Sequence, residues 1–195
     1  MTDLDTSRLL LEAVHRENAA DLWRVMQAPD LREFQDVPRF TRAEFVKRVG
    51  ARPRQFDARA IGRFEWLVRL RASRTAIGWV SLRQGDHPRG VAELGYTLIV
   101  EQRGHGYAME AVTALLAFAF ATPGIAIIEA CCLPQNMRSR HLLDHLGFTY
   151  ERIQRNGALI RGRPADISIF RLSRRTAPQA SSANSIVMAA SAKPK

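Results

Sequence analysis

The 195-residue chain predicts an α/β (α+β) domain with a mixed, mostly antiparallel sheet and helices on both faces. Three observations lead there. Phe64–Arg71 (FEWLVRLR), Thr75–Arg83 (TAIGWVSLR) and Val91–Val100 (VAELGYTLIV) are strand-like segments joined by short polar links, a pattern of antiparallel neighbours. A helical apolar pattern then runs to about Thr122, and Pro123-Gly124 turns the chain into another apolar run, Ile125–Leu133. A strand–helix–strand unit of this kind crosses over right-handed and pairs its two strands in parallel. Hydrophobic residues make up 46% of the chain and charged residues 25%, a balance that permits one sizeable core.

The elements follow in order. Thr6–Val14 (TSRLLLEAV) has strand character, and Glu17–Gln27 places Ala20, Leu22, Trp23 and Met26 at near-helical spacing. Ala28–Phe40, with Pro29 and Pro38, reads as a loop. Thr41 and Glu44 have the spacing of a capping box for a second helix that turns Phe45 and Val46 inward. Arg52–Ala60 is irregular, and the three central strands come next. Gly104 or Gly106 opens the long helix. After Ile125–Leu133, Pro134 precedes a helix starting near Asn136 and stopping at Gly147, the position of a C-terminal glycine cap. Phe148–Ile153 and Asp166–Leu172 are expected as the last strands, around a turn at Asn156-Gly157. Trp23, Trp66 and Trp79 lie on periodic segments and read as core. Residues 1–173 are read as the domain and 174–195, rich in Ala, Ser, Pro and Lys, as a basic disordered tail.

The formal net charge is +10, of which the tail contributes four basic residues and no acid, leaving +6 on residues 1–173. That charge favours anionic ligands without choosing among them. Cys131 and Cys132 are adjacent, which suits neither a CxxC metal site nor an ordinary disulfide and fits a reducing compartment. The acids Asp3 and Asp5 argue against a signal peptide. Residues 111–133 approach bilayer-spanning length, but Pro123-Gly124 divides them and Glu129 lies in the second half. A soluble, cytoplasmic protein without a membrane partner is the expectation.

The segment EQRGHGYAMEAV, residues 101–112, carries the functional signal. A helix N-terminus presents unsatisfied amide N–H groups and partial positive charge, so it can hold a phosphate. Glycines unshield those amides, and Arg103 adds a cation able to fork onto phosphate oxygens. Neither the P-loop pattern nor the dinucleotide G-x-G-x-x-G is present, since Met109 stands where a third glycine would fall. A short glycine turn between strand and helix is also common without any ligand.

The pattern Arg103-x-x-Gly106-x-Ala108 resembles the [QR]-x-x-G-x-[GA] pyrophosphate loop of the GNAT superfamily of acetyl-CoA-dependent N-acetyltransferases. Asn136-x-x-Ser139 with Leu146-Gly147-Phe148, Glu93-Leu94-Gly95-Tyr96, Gly106–Ala111 and the opening Thr6–Leu11 are similar to its ribosomal-protein-alanine, RimJ/RimL-like branch. The resemblance spans about residues 6–172. It implies the GNAT fold, with strands 91–100 and 125–133 splayed at their C-terminal ends. The pantetheine arm of acetyl-CoA, the cosubstrate, would pair with backbone of Leu98, Ile99 and Val100. Its pyrophosphate would lie on Arg103, Gly104, His105, Gly106, Tyr107 and Ala108, with Asn136 and Ser139 also at the coenzyme.

The implied reaction is attack of an amine on the thioester, with a base to take the amine's proton. Glu93 is the first candidate base and Glu129 the second, although a strand carboxylate also commonly pairs with an arginine. Many family members place a tyrosine seven residues after the asparagine to protonate the leaving thiolate. Here that residue is Leu143, and Ser139 is the branch's alternative. Asn136 and Ser139 are equally good first-turn residues of a helix.

The acceptor is read as a protein or peptide N-terminus, with a small amine or a non-catalytic acyl-CoA sensor as alternatives. A nucleic-acid partner is disfavoured for want of a reading module. His141 and His145, one helical turn apart, lack a third ligand and are not taken as a metal site. His105, Phe34 and Phe40 are further candidates for ligand contact, and Tyr96 and Tyr107 are read first as packing residues.

Overall fold

In a computed structural model describing residues 1–29, 31, 40–85 and 88–177, the strands form one eight-stranded sheet. They are β1 (Leu4–Asp5), β2 (Leu9–Ala13), β3 (Gly62–Leu70), β4 (Ala76–Gln84), β5 (Val91–Leu98), β6 (Ile127–Cys132), β7 (Thr149–Ile160) and β8 (Arg163–Ser173). Their order is β1-β2-β3-β4-β5-β6-β8-β7. Only β5 and β6 pair in parallel. The helices are α1 (Ala19–Met26), α2 (Arg42–Gly50), α3 (Tyr107–Ala121) and α4 (Met137–His145). The mixed α/β architecture is the one the sequence predicts.

The sheet has a core on each face. Phe64, Trp66 and Val68 of β3 join the cluster under α3, with Val112, Leu115 and Phe118. Leu67 and Trp79 point the other way, into the cluster of α1 and α2 with Leu22 and Phe45. A strand covered on both faces reads as a continuous apolar run rather than an alternation, and Phe64–Val68 is buried without interruption. Glu65 lies inside that run at 2% exposure, neutralised by an ion pair with Arg52. Trp66 and Trp79 are core as expected, whereas Trp23 is only partly buried.

The caps follow the sequence. Thr41 accepts from the Glu44 N–H, and the Glu44 carboxylate accepts from the Thr41 N–H at 2.8 Å. Within Thr6–Val14 the strand is β2, Leu9–Ala13, and a short β1, Leu4–Asp5, lies upstream of the predicted start. Strand β5 stops two residues early, and Val100–Gln102 forms a 3-10 turn. The last hairpin departs furthest. Its turn is not at Asn156-Gly157 but at Arg161-Gly162, both in left-handed backbone with φ of 53° and 76°. Paired positive φ values give the twist of a two-residue hairpin turn. Asn156-Gly157 instead forms a register shift between Gln154 and Ala158, packed so closely that a Cβ on Gly157 would lie 2.5 Å from Ile167. Among the described residues no helix is long and apolar enough to cross a membrane. The loop residue Phe34 and residues 178–195 lie outside the described residues.

Candidate active site

The parallel pairing of β5 and β6 covers four registers, Val91↔Ile127 to Leu94↔Ala130, and then ends. Both strands run on. β5 follows β4 to Gly78↔Leu98, and β6 follows β8 to Cys132↔Ser168. Each is held by its outer neighbour where it no longer bonds the other, so a fork opens at their C-terminal ends. The Ile99 N–H donates to the Ile77 carbonyl at 2.9 Å, toward β4. By antiparallel alternation, the main-chain groups of Tyr96 and Leu98 turn toward the fork. Of Leu98, Ile99 and Val100, therefore, Ile99 has its N–H committed elsewhere. The Leu98 carbonyl accepts from Arg103 Nε at 3.0 Å, and the Val100 carbonyl from the Arg103 N–H at 3.2 Å.

Beyond the 3-10 turn, two left-handed glycines swing the chain into α3, Gly104 at φ 83° and Gly106 at φ 79°. A side chain at either position would be strained. The Cβ of a residue at 104 would meet nothing within 4 Å, so glycine there serves backbone conformation rather than packing space. Gly106 is the N-cap of α3, and no side chain caps the helix. Its first-turn amides are thus available to an outside acceptor, as phosphate binding requires.

This corner is clamped from the other end of the chain. The Glu110 carboxylate, in the first turn of α3, accepts from the hydroxyls of Thr6 and Ser7, the Arg8 N–H at 2.8 Å and Arg8 Nε at 2.6 Å. Burial alone would push its carboxyl up, but these donors outweigh burial and hold it below the usual range. Arg8 also donates to the His105 carbonyl at 3.0 Å and lies over the Tyr107 ring at 4.8 Å. His105 and Tyr107 stack at 5.6 Å. Sequence reasoning took Thr6–Leu11 as a first strand and Gly106–Ala111 as a loop pattern. That the two are joined by one carboxylate is a tertiary fact.

Across the fork, Asn136 is the N-cap of α4, its Oδ1 accepting from the Ser139 N–H at 3.2 Å. The Ser139 hydroxyl lies 2.6 Å from the Tyr96 hydroxyl. Burial pushes the Tyr96 phenol well above its ordinary value, so it stays protonated. Leu143 is fully buried in the core and offers no polar atom. Tyr96, read from sequence as packing, is the hydroxyl the structure brings to Ser139. It stands two residues beyond Leu94, the last β5 residue paired with β6.

The candidate bases occupy the opposite face. Glu93 and Glu129 are direct partners across β5 and β6. Arg83 Nη2 lies 2.6 Å from Glu93, and Arg171 Nε 2.9 Å from Glu129. Both carboxylates are thus ion-paired, Glu129 at 9% side-chain exposure and Glu93 at 21%. The His145 ring contacts the His141 carbonyl at 2.7 Å, and among the described residues no group of three potential metal ligands occurs. Phe40 lies under the Arg48 guanidinium and packs against the α1–α2 core.

A forked parallel pair, closed on one side by an uncapped helix start, defines an α/β protein with an open strand edge beside free helix amides. The chain belongs to the acetyltransferase (GNAT) domain family, whose profile matches residues 8–149. It is 28% identical over 179 residues to the uncharacterized N-acetyltransferase p20 of Bacillus licheniformis, covering 90% of this chain and 98% of that protein. Its fold is similar to ribosomal-protein-S5-alanine acetyltransferase from Vibrio fischeri, at a TM-score of 0.75, 18% identity and coverage of 89% and 97%. It is also similar to RimL, the ribosomal L7/L12 alpha-N-protein acetyltransferase, solved in complex with coenzyme A. That match has a TM-score of 0.74, 18% identity and coverage of 86% and 95%. The chain is an N-acetyltransferase of this family.

Proposed function

We propose that this enzyme uses acetyl-CoA to acetylate the N-terminal amine of a protein or peptide, with residues 1–173 as the catalytic domain and 174–195 as a basic extension. The observation that carries the coenzyme assignment is the coincidence of the fork at Leu94↔Ala130 with the uncapped, doubly left-handed start of α3. The residues fit the coenzyme. Amides of Gly104, His105, Gly106, Tyr107 and Ala108, with Arg103, would grip the pyrophosphate, and the main chain of Tyr96, Leu98 and Val100 would pair with the pantetheine amides. Bound acetyl-CoA supplies the activated thioester. Glu93 would take the amine's proton, directly or through one water, with Glu129 as the alternative on the facing strand. Asn136 fixes the first turn of α4, and Ser139 presents its hydroxyl where the sulfur would leave. The protein acceptor rests on the named activities of the similar ribosomal-protein acetyltransferases.

Thermal unfolding tests the coenzyme. Acetyl-CoA at one hundred times its Kd stabilises by about 2.7 kcal/mol, a rise of about 5–10 °C for a domain of this size. ATP and NAD, sharing the nucleotide but not the pantetheine arm, are expected to give less. No rise with acetyl-CoA refutes the reading. Thiol release across a panel of N-terminal peptides and small amines then tests the acceptor, and a preference for small amines overturns the protein assignment.

A further inference from the structure

We infer that Tyr96 is a positioning residue for the departing sulfur, fixing the Ser139 hydroxyl so that its proton points into the fork; this rests on the acetyl-CoA reading above. Tyr96 is on the part of β5 that has left β6, and its side chain reaches α4, where its hydroxyl lies 2.6 Å from Ser139 Oγ and 3.3 Å from the Ser139 carbonyl. A phenol is a better donor than an aliphatic alcohol, so in the proposed arrangement the short contact runs from Tyr96 O–H to Ser139 Oγ, the longer contact to the Ser139 carbonyl being secondary. With its oxygen receiving that bond, Ser139 keeps its own proton to give elsewhere. Asn136 holds the backbone of the same residue through the Ser139 N–H, so Ser139 is fixed at both ends.

In the transfer, the amine nitrogen bonds to the acyl carbon and the carbon–sulfur bond breaks. The electron pair leaves on sulfur, and the amine's proton passes to the base. Burial keeps the Tyr96 phenol protonated, so its hydroxyl is a donor throughout. What Tyr96 supplies is direction: a chain of two hydroxyls polarised toward the sulfur, each strengthening the next. The arrangement takes over the task of the tyrosine that many relatives carry at the position of Leu143. It does so with a tyrosine from the strand rather than from the helix.

The test is a cycle of wild type, Tyr96→Phe, Ser139→Ala and the double variant, measured with acetyl-CoA and an accepted amine. Tyr96→Phe keeps the ring and is expected to lower kcat about three- to tenfold with the KM for acetyl-CoA unchanged. In the Ser139→Ala background the same change is expected to cost nothing further, because the effect passes through Ser139. A second readout needs no turnover. Calorimetric affinity for free coenzyme A should tighten from pH 7 to 9 as its thiol, with an ordinary pKa of about 8.5, ionises against Ser139. Tyr96→Phe should tighten less. An unchanged kcat in Tyr96→Phe, or a loss that persists in full without Ser139, overturns the inference while wild-type turnover leaves the function standing. A wild type that neither binds nor turns over acetyl-CoA defeats the function reading itself, and the inference with it.

Discussion

Replacing Glu110 by glutamine tests whether the first strand holds the coenzyme corner in shape. Oε1 accepts from Thr6, Ser7 and the Arg8 N–H, and Oε2 from Arg8 Nε. Glutamine keeps one acceptor and turns an NH2 toward the guanidinium, so it removes one charge-assisted bond and opposes donor to donor. Such a bond contributes about 1.5–3 kcal/mol; with the Arg8 side chain 49% exposed, solvent screening reduces this to about 1–2 kcal/mol. The expected fall in Tm is about 3–6 °C. The pH dependence separates this from a packing defect. The donors hold the Glu110 carboxyl below its ordinary value in the folded state. Its stabilising contribution is therefore complete above the unfolded value, about 4.3, and is lost as pH falls through the lower folded value. Scanning calorimetry of both proteins from pH 7.5 downward should show the gap closing only in that acid range. The Kd for acetyl-CoA should also weaken, since Arg8 ties the His105 carbonyl. An equal Tm at pH 7.5, or a gap that does not change on acidification, refutes the reasoning.

Two further outcomes follow from the site. Leu143→Tyr restores the side chain many relatives carry, but the position is fully buried; overpacking is expected to cost about 1–3 kcal/mol, read as a lower Tm without a gain in kcat, and a faster enzyme of unchanged stability would show that the site accepts a tyrosine there. Glu93→Gln removes the candidate base and is expected to lower kcat/KM by about 10²–10⁴-fold and flatten the acidic limb of the pH–rate profile; an unaltered profile excludes Glu93.

What could be read from the sequence is what local chemistry determines. The capping box Thr41–Glu44, the cap at Asn136 and the glycine corner at 104–106 are decided within a few residues, and all three occur where the spacing puts them. The hairpin turn at Arg161-Gly162 was less legible because Asn156-Gly157 carries the stronger local signal. There, packing of Gly157 against Ile167 turned a turn-like dipeptide into a register shift and let the strands run on. The partners of Glu93 and Glu129 were legible only as alternatives, since Arg83 and Arg171 reach them through sheet register. Tyr96 packs against the core as read, but the partner of its hydroxyl was hidden for a related reason. Alternation along β5 gives the face its ring occupies, but not that α4 would bring a serine hydroxyl to its phenol.

The same register explains where the sheet divides. Arg83, Glu93, Glu129 and Arg171 are successive cross-strand partners over β4, β5, β6 and β8. Two carboxylates opposed on neighbouring strands repel, and the arginines on the outer strands offset that repulsion while tying β5 to β4 and β6 to β8. One register later, at Leu94↔Ala130, the pairing ends. From there β5 is committed to β4, and its continuation is drawn aside by the Arg103 side chain on the Leu98 carbonyl. The fork is therefore closed by the parallel ladder at its base and held open at its tip by hydrogen bonds to the outer strand and to Arg103. Because both are satisfied within the protein, a ligand entering the fork meets a shape already made, and less of its binding energy goes into ordering the site.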